Sequence, residues 1–220
     1  MYRKHCVNIF TKTLFQGKSE HNGDVKVVDS FGERRLVADG YTQSRSLNKD
    51  GLTGSYWDGF VNPMIKLDKD SRVLILGLAG GTIAKMLTKR FGLITIDGVD
   101  IDPMMVELGK KYLDFNEKNV NIIIADAPNF LKDARYKYDL VCVDLFSHGD
   151  VAVGTESKVF FENIQKILNK NAVVVINKLF TSNDELKKHV DFLHEIFNKT
   201  EILLVRGSIQ TDNVIIYAST

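Results

Sequence analysis

An α/β fold, with a mainly parallel sheet covered on both faces by helices, is what this sequence predicts, on three observations. From Asp70 onward, continuous apolar runs such as "RVLILG", "VNIIIAD" and "AVVVINKLF" alternate with segments of helical periodicity. The first of these runs ends in a glycine-rich turn, "LGLAGGT", and a helix pattern starts directly behind it. Acidic residues close the next three runs, at the strand ends where open parallel sheets place their ligands.

The elements follow in order. Within the first fifty residues, "KTLFQGKS", "DVKVVDSF" and "RRLVADG" are short β-type runs separated by the turn chemistry of "EHNG" and "FGE". "SLNKDGLTGS" reads as a linker, and "YWDGFVNPMIKL" as a short helix around Trp57. After "RVLILG", the helix "TIAKMLTKRF" stops at Gly92. "LITIDGVD" precedes "DPMMVELGKKYLDF", where Asp102 can cap and Pro103 fits the first turn. "VNIIIAD" precedes the short "PNFLKDA", and "YDLVCVDLF" leads through a loop to the helix "KVFFENIQKILNK". "AVVVINKLF" precedes "SNDELKKHVDFLHEIF", with a capping box at Ser182 and Glu185. "EILLVRG" and "NVIIYAS" form a terminal hairpin, which turns the last strand antiparallel to its neighbours. This order is that of the class I S-adenosylmethionine-dependent methyltransferase-like (Rossmann-like) fold, a seven-stranded sheet with a small N-terminal antiparallel β-domain. Residues 1–50 are read as the β-domain and 51–220 as the Rossmann-like nucleoside-binding catalytic domain.

Composition narrows the function classes. The chain has 220 residues, 44% hydrophobic, and a formal net charge of +1 with both signs mixed along it. That balance gives no support to nucleic acid or a membrane surface as partner. Cys6 and Cys142 form no CxxC pair, and five scattered histidines build no metal cluster. With no signal-like or transmembrane-length segment, a soluble cytoplasmic protein is expected.

The candidate site lies at the strand ends. Gly77, Ala79, Gly80 and Gly81 allow the backbone to approach a nucleoside, and the pattern lacks the GKS or GKT of a phosphate loop. Asp100, nineteen positions after Gly81, can accept from both ribose hydroxyls. Asp126 can accept from an adenine amino group, and Ala127 leaves room for the ring. Asp144 closes the fourth run, facing the reaction space. Each of these acids has an alternative role as a helix cap, and Tyr56 and Trp57 an alternative as packing residues. His148 reads as a solvated loop residue, "VFFENIQKIL" as core, and the lysines of "DELKKHVDFLH" as a wet helix face.

With these residues in view, the chain resembles the spermidine synthase (polyamine aminopropyltransferase) family over nearly its full length. The resemblance rests on the N-terminal β-runs ending at Asp39, Gly40 and Gln43, the glycine turn, "VDIDP" with its acid-Ile101-Asp pattern, "ADAPNFL", "YDLVCVDLF" and "FFENIQKIL". It implies transfer of an aminopropyl group from decarboxylated S-adenosylmethionine to an amine acceptor, without a metal, in a homodimer. It puts Ile101 among the cofactor-binding residues, Asp144 as the carboxylate that orients and deprotonates the amine, Tyr56 as its assistant, and Gln43 among substrate-binding residues. Two positions depart from the family. Ala79 stands where spermidine-forming members carry an Asp within the glycine turn, and Ser147 where they carry a second acid, with Asp150 nearby. Losing two carboxylates weakens recognition of a dication. Two further readings therefore stand beside the first: a small-molecule methyltransferase using intact S-adenosylmethionine, and a non-catalytic nucleoside-binding member.

Overall fold

The computed structural model describes residues 11–147, 150–151, 154–180, 182–205 and 212–219. Four strands open the described chain: β1 (Thr11–Ser19), β2 (Gly23–Ser30), β3 (Glu33–Ala38) and β4 (Tyr41–Arg45), paired as an antiparallel meander. β4 is an addition to the three runs expected. Its "YTQSR" has no apolar alternation, and it is a strand because Asp39 and Gly40, both at positive φ (47° and 88°), turn β3 back on itself.

The large sheet has seven strands in the order β12-β13-β11-β8-β5-β6-β7. These are β5 (Arg72–Leu76), β6 (Thr95–Asp100), β7 (Val120–Ile124), β8 (Tyr138–Val143), β11 (Leu168–Phe180), β12 (Lys199–Val205) and β13 (Asp212–Ser219). β13 inserts between β11 and β12 and runs antiparallel to both, whereas β5, β6, β7, β8 and β11 are mutually parallel. The connecting helices are α1 (Thr82–Phe91), α2 (Pro103–Tyr112), α3 (Ala127–Asp133), α4 (Lys158–Lys166) and α5 (Asn183–His194). A two-residue hairpin, β9 (Phe146–Ser147) with β10 (Asp150–Val151), follows β8. α4 is shorter than the run "KVFFENIQKILNK" predicts. Leu168 already pairs with Tyr138 of β8, and Asn171, at φ 65°, absorbs the irregularity before Val173 rejoins the ladder.

Alternation along β5 sends Leu74 and Leu76 to one face, under α3, α4 and α5, and Val73 and Ile75 to the other, under α1. The second face also buries Trp57 and Phe60. Val25, Val27, Leu36 and Ala38 of the small sheet pack on Met105, Leu108 and Leu113, so the meander is seated on α2. At the amino ends of the parallel strands, buried Asp97 accepts from Arg72, Tyr138 and Asn121.

Candidate active site

Asp144 leaves β8 at its carboxyl end, with its backbone N–H donating to Leu76 O at 2.9 Å. The adjoining position must be glycine: a Cβ on Gly77, at φ 92°, would lie 2.1 Å from the Asp144 carbonyl oxygen. This close approach joins the glycine turn to the candidate base. Three side chains donate to the Asp144 carboxylate: Asn177 Nδ2 to Oδ1 at 2.8 Å, and Trp57 Nε1 and Tyr56 Oη to Oδ2 at 3.1 and 3.2 Å. Burial pushes the Asp144 carboxyl up to about 6, against the lowering effect of those three bonds. Tyr56 is raised well above its ordinary value, first by burial and then by the neighbouring Asp144.

Tyr56 and Trp57 reach the carboxylate from a single 3-10 turn, Tyr56–Val61, with their rings stacked at 4.2 Å. Asp58 in that turn accepts from the backbone N–H groups of Thr53 and Gly54 and from the Thr53 hydroxyl. Tyr217 of β13 donates to Gly59 O at 2.9 Å and anchors the other end. The aromatic pair is therefore fixed to both the linker and the sheet, and Trp57 has a polar role as well as a packing one.

Across the glycine turn, Asp100 ends β6. Its Oδ2 accepts from Ala79 N at 2.6 Å and its Oδ1 from Asp102 N at 2.9 Å. Burial raises its carboxyl, and these two backbone bonds oppose that rise. Ala79 takes a left-handed φ of 44° to direct its N–H at Asp100. Gly80 N donates to Ser44 Oγ at 2.9 Å, which fastens β4 to the turn, and Gly81 caps α1. Gln43 is the extra residue of a β-bulge, because Leu36 and Val37 of β3 face Ser44 and Thr42. Bulges re-aim a side chain, and this one stands beside the residue that holds the glycine turn.

Asp126 caps α3 by accepting from Asn129 N at 3.2 Å, with Ala127 buried behind it. Ile101 and Ile124 are exposed apolar side chains flanking the ends of β6 and β7. The structure thus brings Gly77, Ala79, Gly80, Gly81 and Asp100 into one unit and joins Asp144 and Tyr56 to it through Gly77. Ser147 and Asp150 are register partners in the β9–β10 hairpin, and His148 lies outside the described residues. Among the described residues, no group of three or more His, Cys, Asp and Glu is arranged to hold a metal. Asn177, Ser44 and Ile124 were not singled out from sequence. Asn177, a polar residue inside "VVVINKLF", carried a legible signal.

A seven-stranded sheet of this order, with a glycine turn and three acids at its carboxyl ends and an antiparallel meander in front, defines a class I methyltransferase-like protein with an appended β-unit. The spermine/spermidine synthase domain matches residues 61–219, and the chain belongs to that family. It is 30% identical over 210 residues to the polyamine aminopropyltransferase of Clostridioides difficile, covering 87% of this chain and 70% of that one. It is 27% identical over 205 residues to spermidine synthase 2 of Arabidopsis thaliana, covering 90% and 57%. The chain spans about half the length of most curated relatives it matches. Among solved structures, a probable spermidine synthase from Corynebacterium glutamicum superposes with a TM-score of 0.79 at 16% identity, over 94% of this chain and 79% of that one. At that identity the likeness concerns the fold. No helix among the described residues is long and apolar enough to cross a membrane.

Proposed function

We propose that the chain is a spermidine synthase-like transferase that moves an aminopropyl group from decarboxylated S-adenosylmethionine to a small-molecule amine. The observation that carries this reading is the Asp144 carboxylate, which is held by three donors and raised to about 6. A base poised there is ionised at neutral pH and still takes up a proton readily.

The nucleoside half of the donor fits the glycine turn. Asp100 is fixed by two backbone N–H groups and keeps acceptor capacity for both ribose hydroxyls. Asp126 accepts from the adenine amino group, Ala127 makes room for the ring, and Ile101 covers its face. The sulfonium supplies a leaving group that needs no protonation, so the residues act by positioning and by preparing the nucleophile. Asp144 takes a proton from the acceptor ammonium. The freed nitrogen lone pair forms the new C–N bond as the C–S bond breaks, and the C–S electron pair stays on the departing thioether sulfur. Tyr56 and Trp57 hold the carboxylate toward the amine, and Gln43 lines the acceptor side.

A methyltransferase using intact S-adenosylmethionine is the second reading, and Ala79 favours it: no carboxylate stands there to oppose the methionine carboxylate. Calorimetric titration with S-adenosylmethionine, its decarboxylated form and methylthioadenosine separates the two. Tighter binding of the decarboxylated form is expected. The reverse order supports the methyltransferase, and binding of none removes both.

A further inference from the structure

Arg45, the last residue of β4, stands between the two halves of the site. Its backbone N–H donates to Thr82 Oγ1 at 2.9 Å, and that hydroxyl donates to Arg45 O at 3.1 Å. The residue is thereby fastened to the first turn of α1, directly after Gly81. Its side chain reaches the linker: Nη1 donates to Thr53 O at 3.2 Å, while Nη2 is ion-paired with Glu33 of β3. The side chain of Arg45 is 19% exposed, and its buried Nε has no hydrogen-bond partner. A mostly buried guanidinium with one unsatisfied N–H is held at a free-energy cost. The proposed catalysis gives it no part.

What the guanidinium holds is the residue on which the aromatic turn is built. The Thr53 N–H and hydroxyl donate to Asp58 Oδ1 at 2.8 and 2.7 Å, and the same hydroxyl accepts from Ser55 N at 3.2 Å. Its carbonyl is the group that Arg45 takes. Asp58 lies in the turn whose first two residues, Tyr56 and Trp57, donate to Asp144. A continuous path of hydrogen bonds therefore runs from Glu33 through Arg45, Thr53 and Asp58 to the turn that carries two of the three donors to the base. Burial and then Asp144 raise Tyr56, and the Arg45 cation opposes them. The other groups at Asp144 are Asn177 from β11, which does not titrate, and the Cys142 thiol of β8, which burial and then Asp144 raise well above its ordinary value. Neither changes charge where Asp144 titrates.

We propose that Arg45 is a positioning residue for the transfer: it fixes Thr53, and through it the Tyr56 and Trp57 donors, so that the Asp144 carboxylate is held toward the amine. The proposal rests on the transferase reading for the role of Asp144, but its test does not require turnover. Trp57 is the only tryptophan of the chain and its Nε1–H donates to Asp144, so its fluorescence reports the protonation of that carboxyl. Wild type should show a transition near pH 6 that Asp144→Asn removes. The bonds from Tyr56 and Trp57 lower the Asp144 carboxyl, so loosening them raises it. Arg45→Met should move the midpoint up by roughly 0.5–1 pH unit, and the acid limb of aminopropyl transfer should move with it. Arg45→Lys keeps the charge, but a single ammonium cannot hold both Thr53 O and Glu33, and it should move the midpoint by less. In an Asp58→Ala background, where the turn is already released, Arg45→Met should add no further shift. A wild-type midpoint in Arg45→Met overturns the proposal, even with a lowered melting temperature, because a purely structural tie would behave that way. Should the methionine variant not fold, Arg45→Lys decides in its place, a raised midpoint supporting the proposal and an unmoved one overturning it. Shifts that add fully in the double variant, or a wild type without an Asp144-dependent transition, overturn it as well. If wild type transfers to no amine, the transferase reading alone is rejected, and the fluorescence midpoints still decide on Arg45.

Discussion

The residue with the most chemistry in this chain is also one that the fold holds at a cost. Asp144 titrates near 6 in the folded protein against an ordinary carboxylate value of 3.8. The folded state binds its proton more tightly, so the contribution to stability is complete below about pH 4 and is lost as pH rises through 6. A difference of that size corresponds to about 3 kcal/mol. Asp144→Asn is therefore predicted to stabilise the chain by about 1–3 kcal/mol at pH 8. Denaturant titration at pH 8 and at pH 4 checks this, with the gain shrinking at the lower pH. At Asp100, replacement by alanine removes two charge-assisted bonds to ribose, each worth roughly 1.5–3 kcal/mol, and predicts at least a tenfold loss of methylthioadenosine affinity. Calorimetry reads it directly, and wild-type affinity in Asp100→Ala would place the ribose elsewhere. Both acids were legible because each closes an apolar run. Of the three side chains that donate to Asp144, Tyr56 was named by the family resemblance, whereas Trp57 and Asn177 were not assigned to it. They stand 87 and 33 positions away, and the Tyr56–Val61 turn and the pairing of β11 with β8 bring them to it.

Among the elements, the glycine turn depends on the helix behind it. A Cβ on Gly109 in α2 would lie 2.5 Å from Gly80 Cα. Gly109→Ala gains helix propensity worth up to about 1 kcal/mol, yet it drives α2 against backbone that cannot rotate away. Overpacking of this kind costs about 1–3 kcal/mol. The variant is predicted to melt at a lower temperature and to bind methylthioadenosine more weakly, because the displaced turn carries the Ala79 N–H that fixes Asp100. Unchanged melting and binding would show that α2 yields freely. The opposite end of the sheet provides a control. Asp97→Ala takes the acceptor from the partly exposed Arg72 and the buried Tyr138, a loss of roughly 1–3 kcal/mol, but leaves nucleoside affinity intact in the fraction that remains folded, as denaturant titration and calorimetry together would report. The helix starts at Asp102, Asp126 and Ser182 were readable from capping chemistry alone. β4 was missed because its own residues carry no strand pattern. Its signal was the Asp39–Gly40 turn, a property of the preceding two residues. The early start of β11 was hidden because "ILNK" continues a helical period, and only pairing with β8 overrides it.

For the molecule as a whole, parallel topology was readable because buried strands are apolar on both faces, and the terminal hairpin followed from a connection too short for a crossover helix. How the small sheet meets the large one was not readable, since it depends on matching Val25, Val27 and Leu36 to Met105, Leu108 and Leu113. A chain starting near Ser55 would expose that face of α2 and release the Ser44 contact to Gly80. It is predicted to self-associate and to lose activity, and a monodisperse, fully active truncation by light scattering and assay would contradict the dependence. The central claim joins both halves of the site: a nucleoside held at the glycine turn while Asp144 prepares an amine. Its most direct test is a single-turnover assay of aminopropyl transfer from decarboxylated S-adenosylmethionine to a panel of small amines, comparing wild type with Asp144→Asn. Transfer that follows an acid limb near pH 6 in wild type, and that falls at least a hundredfold in Asp144→Asn while methylthioadenosine still binds, is the predicted result. Equal transfer by both proteins, or none by wild type to any amine in the panel, would contradict it.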